Sequence, residues 1–271
     1  MLSIFNWFGY REVNHAEGFR LIKQAGFEGV LLWWDFAERG EDYRKQPELA
    51  RREGLWIENI HTNFEQSNHL WEDTQEGQAV YKYYLQCVED CAAFEIPTMV
   101  VHPSYSFGAL PPTSPLGLDR LQRVVDRAEQ KGINIAMENM LRPEAIARAA
   151  WLLEQIESPR FGLCFDSGHH HARFVQTPET DLLARFGHRL MALHLHDNHG
   201  QSTSSDHPDE HLLSFDGTID WAALMRKIAE TGYQGPTTLE VENKGHEETP
   251  PEEFLALAYE RAVKLEQLRK V

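Results

Sequence analysis

Residues 161–171 read FGLCFDSGHHH, a short apolar run at 161–165 that stops at Asp166-Ser167-Gly168-His169. An apolar strand buried on both faces is a rigid platform, and Gly168 is expected to let the chain turn sharply just after it. The Asp166 carboxylate and the His169 imidazole then share one fixed edge, as oxygen and nitrogen ligands of a divalent cation must. The same residues also fit a plainer arrangement, with Asp166 as a helix N-cap and the histidines on a solvated turn. Recurrence decides between the two. His61, His102, Glu138, Asp166, His194 and Glu240 each stand at or near the end of an apolar run: LWIENIH at 55–61, TMVVH at 98–102, INIAMEN at 133–139, the opening run, LMALHLH at 190–196 and PTTLEV at 236–241.

Carboxylates and imidazoles buried close together repel or stay unsatisfied without a cation between them. Glu138, Asp166, His194 and Glu240 form a three-carboxylate, one-imidazole group. That mixture suits Zn²⁺ or Mn²⁺, with Co²⁺ or Mg²⁺ as alternatives, and leaves room for a substrate's oxygens. His61 and His102 are placed to share a second ion with Glu138. Asp209 and His211, two residues apart in a polar loop, can close over the site with His169 and hold a third.

The elements that must position these residues follow from the pattern of the chain. Apolar runs at 2–6, 27–33, 55–61, 98–102, 133–139, 161–165, 190–196 and 236–241 alternate with segments of helical period at 15–26, 43–53, 74–94, 118–131, 143–156, 180–186, 219–231 and 251–268. The segment 198–215 has neither period and reads as a long functional loop. Eight βα repeats of roughly 30 residues predict one (β/α)₈ TIM barrel over 1–271, with the strand ends converging at its C-terminal mouth. A doubly wound open sheet fits less well, since no GxGxxG follows the first strand.

Composition narrows the partners. Against 42 acidic residues stand 26 Lys and Arg, a formal net charge of −16, which argues against a broad footprint for nucleic acid or an anionic membrane. The basic residues Arg44, Lys45, Arg51 and Arg52 fall together in the second repeat and read as a solvated helix face. No apolar stretch is long enough for a membrane span, and MLSIFNWFGYRE lacks the features of a signal peptide. Three cysteines form no even disulfide framework, so a reducing cytoplasm is expected, with Cys87 and Cys91 as packing residues at helical spacing.

The chain resembles the xylose isomerase-like TIM-barrel superfamily, which includes sugar isomerases and epimerases, inosose dehydratases and endonuclease IV repair enzymes. MEN at 137–139, FDSGH at 165–169, HLHDN at 194–198, DEHLLSFDGTIDW at 209–221 and LEVE at 239–242 carry the resemblance, which covers nearly the whole chain. It implies a shared single-metal site at Glu138, Asp166, His194 and Glu240, with the two glutamates moving the proton in the ketose epimerase branch. Beside endonuclease IV, all nine positions of a trinuclear zinc site are filled: His61, His102, Glu138, Asp166, His169, His194, Asp209, His211 and Glu240. The surrounding segments depart from that enzyme's pattern: Met140-Leu141-Arg142-Pro143, Ser104-Tyr105, and His196 where an amide residue is expected. The resemblance therefore implies a metal-dependent isomerase or epimerase of carbohydrate metabolism acting on a sugar or polyol through an enediolate, and a homo-oligomer. A dehydratase would share that chemistry, and a phosphodiester hydrolase acting on abasic DNA is the alternative. Trp7, Trp33, Phe64 and Tyr105, near strand ends, are candidates for an apolar wall against a sugar ring.

Overall fold

In the computed structural model, which describes residues 1–35, 42–105, 110–200 and 209–270, parallel strands alternate with helices around a ring. The strands are β1 (Leu2–Phe5), β2 (Gly29–Trp34), β3 (Trp56–Thr62), β4 (Thr98–Val101), β5 (Asn134–Glu138), β6 (Phe161–Asp166), β7 (Leu190–His194) and β8 (Thr237–Leu239). Between them run α1 (His15–Ala25), α2 (Gln46–Arg52), α3 (Gln75–Ala93), α4 (Pro115–Lys131), α5 (Pro143–Gln155), α6 (Ser167–Ala172), α7 (Leu182–Phe186), α8 (Trp221–Glu230) and α9 (Pro251–Arg269). Each strand pairs with its neighbour in sequence, and β1 also pairs with β8. The ring closes just past β7: Leu195 N–H donates to Thr238 O at 2.9 Å, and Glu240 N–H donates to Leu195 O at 3.1 Å. This is the expected (β/α)₈ TIM barrel.

Local chemistry sets the helix ends. The side chains of Asn14, Thr74, Ser114 and Asp220 accept the N–H of Glu17, Gly77, Gly117 and Ala223, satisfying first-turn donors. Gly26 and Gly132 end α1 and α4 in the left-handed conformation, at φ 113° and 74°. Three expectations are adjusted. The helical stretch at 43–53 opens as a 3₁₀ turn, Tyr43–Lys45, before α2. The helix at 180–186 shortens to α7, because the Asp181 side chain caps Ala184 N–H behind a Pro178–Thr180 turn. The loop at 198–215 falls partly on 201–208, outside the described residues, and its described part includes an antiparallel bridge between Asp197 and Leu212.

Strand alternation divides the core into two. Met99, Val101, Ile135, Met137, Leu163, Phe165 and Leu193 join the large cluster packed under the helices. Their alternate neighbours Val100, Ala136, Cys164 and Ala192 form a separate small cluster within the ring. One step further along the same inward rows come His102, Glu138, Asp166 and His194. A register shift in β2–β3 pairs Val30 with Ile57 but Leu31 with Asn59, leaving Glu58 as the extra residue. This bulge reverses the phase of β3, so that Glu58 and His61, three residues apart, both reach the interior.

Glu58 is buried, accepting hydrogen bonds from Thr238 Oγ1 and from Asn59 Nδ2, both at 2.7 Å. Burial pushes its carboxyl up to about 7 despite the hydrogen bonds from Thr238 and Ser3 that favour the charged form. The folded value lies above that of the unfolded chain, roughly 4.3. The protonated group therefore contributes stability that is complete below the unfolded value and lost as pH rises through about 7. The difference is on the order of 3 kcal/mol. Glu58→Gln is expected to raise the melting temperature at about pH 8 with little change at about pH 4. Parallel pH profiles of the melting temperature in the two proteins would contradict this.

Candidate metal centre

The inward ends of six strands meet at one mouth. His61 is the penultimate residue of β3, Glu138, Asp166 and His194 end β5, β6 and β7, and His102 and Glu240 directly follow β4 and β8. Glu138 is the hub. Its Oε2 lies 3.3 Å from His61 Nε2, 3.2 Å from His102 Nε2 and 3.3 Å from His194 Nδ1, and its Oε1 lies 3.2 Å from His169 Nδ1. His194 Nδ1 also faces Glu240 Oε2 at 2.9 Å. Ligand atoms of Glu138, Asp166, His194 and Glu240 all lie within 4.8 Å of one another, and all four residues are buried. Glu138 Oε2, Asp209 Oδ1 and both ring nitrogens of His102 and of His194 are buried without a well-formed hydrogen bond. Orphaned oxygen and nitrogen donors converging on one point fit a divalent cation.

Asp166 serves both roles that the sequence left open. Its Oδ1 accepts His169 N–H at 2.6 Å as the N-cap of α6, while Oδ2 faces His196 Nε2 at 3.1 Å. Asn139 fixes it from the side, donating Nδ2–H to Asp166 O at 2.9 Å and accepting Asp166 N–H at 2.8 Å. The expected turn at Gly168 is corrected. Gly168 lies within helix α6, and a Cβ there would fall 1.9 Å from His196 Cε1, so the glycine makes room for that ring. Further out, Asp209 Oδ2 lies 3.2 Å from His169 Nε2 and 3.1 Å from His211 Nε2. All nine residues anticipated as ligands are thus gathered at one end of the barrel, with His61 and His102 on one flank and His169, Asp209 and His211 on the other.

The electrostatics bind these groups together. Burial by itself would push the carboxylates up, yet His102 and His194 hold Glu138 well below the usual carboxylate range. His194 likewise holds Glu240 at about 2, and His211 and His169 hold Asp209 well below its ordinary value. Burial also opposes charge on the imidazoles. Asp166 and Asp209 nevertheless keep His169 high, Cys164, Glu240 and Glu138 do so for His194, and Asp209 brings His211 to about 10. His102 is the exception, since burial outweighs Glu138 and leaves it below its usual value.

An aromatic wall stands on the His61–His102 flank. Phe64 stacks on the His102 ring at 4.4 Å and 7°, Trp33 lies 5.3 Å from the His61 ring, and Tyr105 stacks beyond Phe64 at 6.1 Å. Of the four aromatic candidates, Trp33, Phe64 and Tyr105 are brought together here, and Trp7 follows β1. Three of the four basic residues of the second repeat are engaged elsewhere: Arg44 pairs with Asp90 at 2.9 Å, Arg51 donates to Phe94 O and Arg52 pairs with Glu48.

One supporting residue carried no role in the sequence reading. Asp197, buried within HLHDN, accepts the N–H groups of Asn198 (2.8 Å), Phe215 (2.8 Å) and Ile219 (3.1 Å) and the Trp221 indole N–H (2.7 Å). A Cβ on Gly217 would stand 2.3 Å from Asp197 Oδ1, so the loop closes tightly around this carboxylate. FDGTIDW at 215–221, after HLHDN, was the available signal: a glycine turn and a tryptophan donor following a carboxylate. Asp197→Ala leaves these donors unsatisfied and is expected to cost at least about 3 kcal/mol, measured by denaturant unfolding. A cost below about 1 kcal/mol would show that the loop is held by other contacts.

The xylose isomerase-like TIM barrel family model matches residues 19–260. The uncharacterised protein y4fM of Sinorhizobium fredii is 31% identical over 183 residues, 64% of this chain and 55% of that protein, so the chain spans about half the length of this curated relative. Among solved structures, a D-tagatose 3-epimerase-like protein superposes with a TM-score of 0.73 at 22% identity, over 99% of this chain and 98% of that one. The IolI protein, solved with a bound zinc atom, gives 0.76 at 16% identity over 98% of each chain. These two likenesses show the same fold. With the family match extending over most of its length, the chain belongs to the xylose isomerase-like TIM-barrel family.

Proposed function

We propose that the protein is a metal-dependent isomerase or epimerase of a free or lightly modified sugar or polyol. The observation that carries this reading is the buried tetrad Glu138, Asp166, His194 and Glu240, in which two glutamates from β5 and β8 approach the same His194 nitrogen at 3.3 and 2.9 Å. Asp166 and His194, with the two glutamate carboxylates, would hold a divalent ion. When bound, such an ion supplies the positive charge that makes an enediolate accessible from a carbonyl and its neighbouring hydroxyl. One glutamate takes the proton from the carbon beside the carbonyl, and the other returns a proton to the enediolate. Trp33, Phe64 and Tyr105 offer apolar ring surface on one flank, Trp33 edge-on to Phe64, suited to a sugar's carbon skeleton and to exclusion of water. The epimerase-like structural neighbour and the zinc-bearing IolI structure support this reading.

A second reading, zinc-dependent phosphodiester hydrolysis at abasic DNA, is favoured by the gathering of nine ligand-type residues rather than four. Against it stand the net charge of −16 and the commitment of Arg44 and Arg52 to Asp90 and Glu48.

The two readings separate in heavy water. With added Mn²⁺, Co²⁺ or Zn²⁺, ketopentoses and ketohexoses are expected to take up deuterium at the carbon beside the carbonyl. Glu138→Gln and Glu240→Gln should each slow that uptake by about 100-fold or more. No exchange with any ketose, together with metal-dependent nicking of an abasic duplex, would replace the first reading with the second.

A further inference from the structure

Arg148, in the middle of α5, is a buried charge that the barrel mouth does not use. The residue is 5% exposed. Its Nη2 donates to Pro111 O, but Nε and Nη1 are hidden from water with no acceptor. No carboxylate of the described residues offsets the burial, which lowers the guanidinium only to about 10 and so leaves it charged at neutral pH. Arg120, equally buried, is provided for differently: its Nη1 donates to Leu70 O at 2.9 Å and to Glu72 O at 2.7 Å. The Trp71 ring lies 4.5 Å from the Arg148 guanidinium carbon, which eases the charge but accepts no conventional hydrogen bond. A buried cation with unmet N–H groups calls for an acceptor that the chain itself does not supply.

Arg148 lines a cleft of about 440 Å³ between the segment 111–113 and one face of α5. Pro111, Pro112, Ala147 and Trp151 give it apolar walls, and Thr113 and Glu144 are its other polar side chains. Glu144 is exposed and faces Arg142 Nε at 3.7 Å, so its charge is partly balanced from outside the cleft. Trp71, which supports the guanidinium, is itself fixed. Its indole N–H donates to Pro103 O at 3.2 Å, its carbonyl accepts Ser114 Oγ–H at 2.7 Å, and a Cβ on Gly117 would stand 2.3 Å from its ring. The cation is thus held in place before any ligand arrives, which removes part of the cost of binding.

We propose that Arg148 anchors a small monocarboxylate in this cleft, with the ligand's apolar body against Trp151, Pro111 and Pro112. A carboxylate supplies both the opposite charge and the acceptor oxygens that Nε and Nη1 lack. One guanidinium balances one negative charge, and the second charge of a phosphate would be left beside Glu144. The site lies on α5, outside the strand ring, and is independent of the reaction that the inner tetrad performs.

Calorimetric titration of the metal-loaded protein in low-chloride buffer tests this, with benzoate, acetate and inorganic phosphate as probes. One benzoate per chain is expected to bind in the millimolar range or tighter. Arg148→Met should abolish that binding, and Glu144→Gln should tighten it about twofold to fivefold. Glu240→Gln, at the barrel mouth, should leave it unchanged. No saturable binding of benzoate, or binding that survives in Arg148→Met, would overturn the proposal. Loss in Glu240→Gln would place the carboxylate at the mouth and overturn it as well. Acetate binding as tightly as benzoate would refute the apolar contact, and phosphate binding in benzoate's place would refute the monocarboxylate. Should Arg148→Met fail to fold, the comparison of wild type with Glu144→Gln decides, and equal affinities for benzoate would count against the site.

Discussion

Everything at the barrel mouth depends on one buried carboxylate. Glu138 lies within 3.3 Å of nitrogens from His61, His102, His169 and His194, from four separate stretches of the chain. An ionised carboxylate removed from water is costly unless positive charge meets it, so these imidazoles are necessary neighbours of Glu138 and not incidental ones. The same constraint extends outward. Asp166 is faced by two histidines and Asp209 by three, and His169 touches both the inner and the outer carboxylates. Polar groups at such density would be untenable in a core of uniform depth. Here the apolar load is carried on the helix side of the strands, which leaves the ring interior free for them.

The backbone meets this demand with few devices. Period-two alternation sends one residue in two into the ring, and the parallel register places Glu138 beside Cys164 and Asp166 beside His194. The bulge at Glu58 alters the phase of β3 once, so that His61 joins the inward row. Asp197 then gathers four N–H donors and shapes the segment that returns Asp209 and His211 to the mouth. His211 itself has φ 49°, a left-handed conformation that a histidine rarely adopts, held by Glu242 N–H donating to His211 O at 2.9 Å. Backbone strain at a site residue of this kind persists only where the surroundings enforce it.

Much of this was legible in the sequence because strand-end position is a one-dimensional property. A polar residue closing an apolar run, repeated along the chain at roughly 30-residue intervals, projects directly onto the rim of a closed barrel. His61, His102, Glu138, Asp166, His194 and Glu240 were visible for that reason. What escaped notice depends on phase or on contacts distant in sequence. Glu58 sits in an ordinary apolar run, and only the bulge turns it inward. Gly168 suggested a turn from its type, yet its reason is a ring from β7's end, 28 residues later. Asp197 looked like one more polar residue in HLHDN, because its donors come from 198, 215, 219 and 221.

The pairing of imidazoles with carboxylates also determines how tightly each group at the mouth holds its proton. A carboxylate at close range makes an imidazole hold its proton more tightly, as for His169, His194 and His211, and the imidazole in turn keeps the carboxylate ionised, as for Glu138, Asp209 and Glu240. The basicity that retains those protons is the same property that makes these nitrogens good ligands. A cation taken up here would therefore release protons, and its affinity would climb with pH until the imidazoles are free of them. His102 stands apart, with its basicity lowered by burial under Phe64. It offers a neutral nitrogen on the aromatic flank, while the charged exchange is concentrated between Glu138 and Asp209. This asymmetry gives the mouth an apolar side suited to a carbon skeleton and a polar side suited to ions.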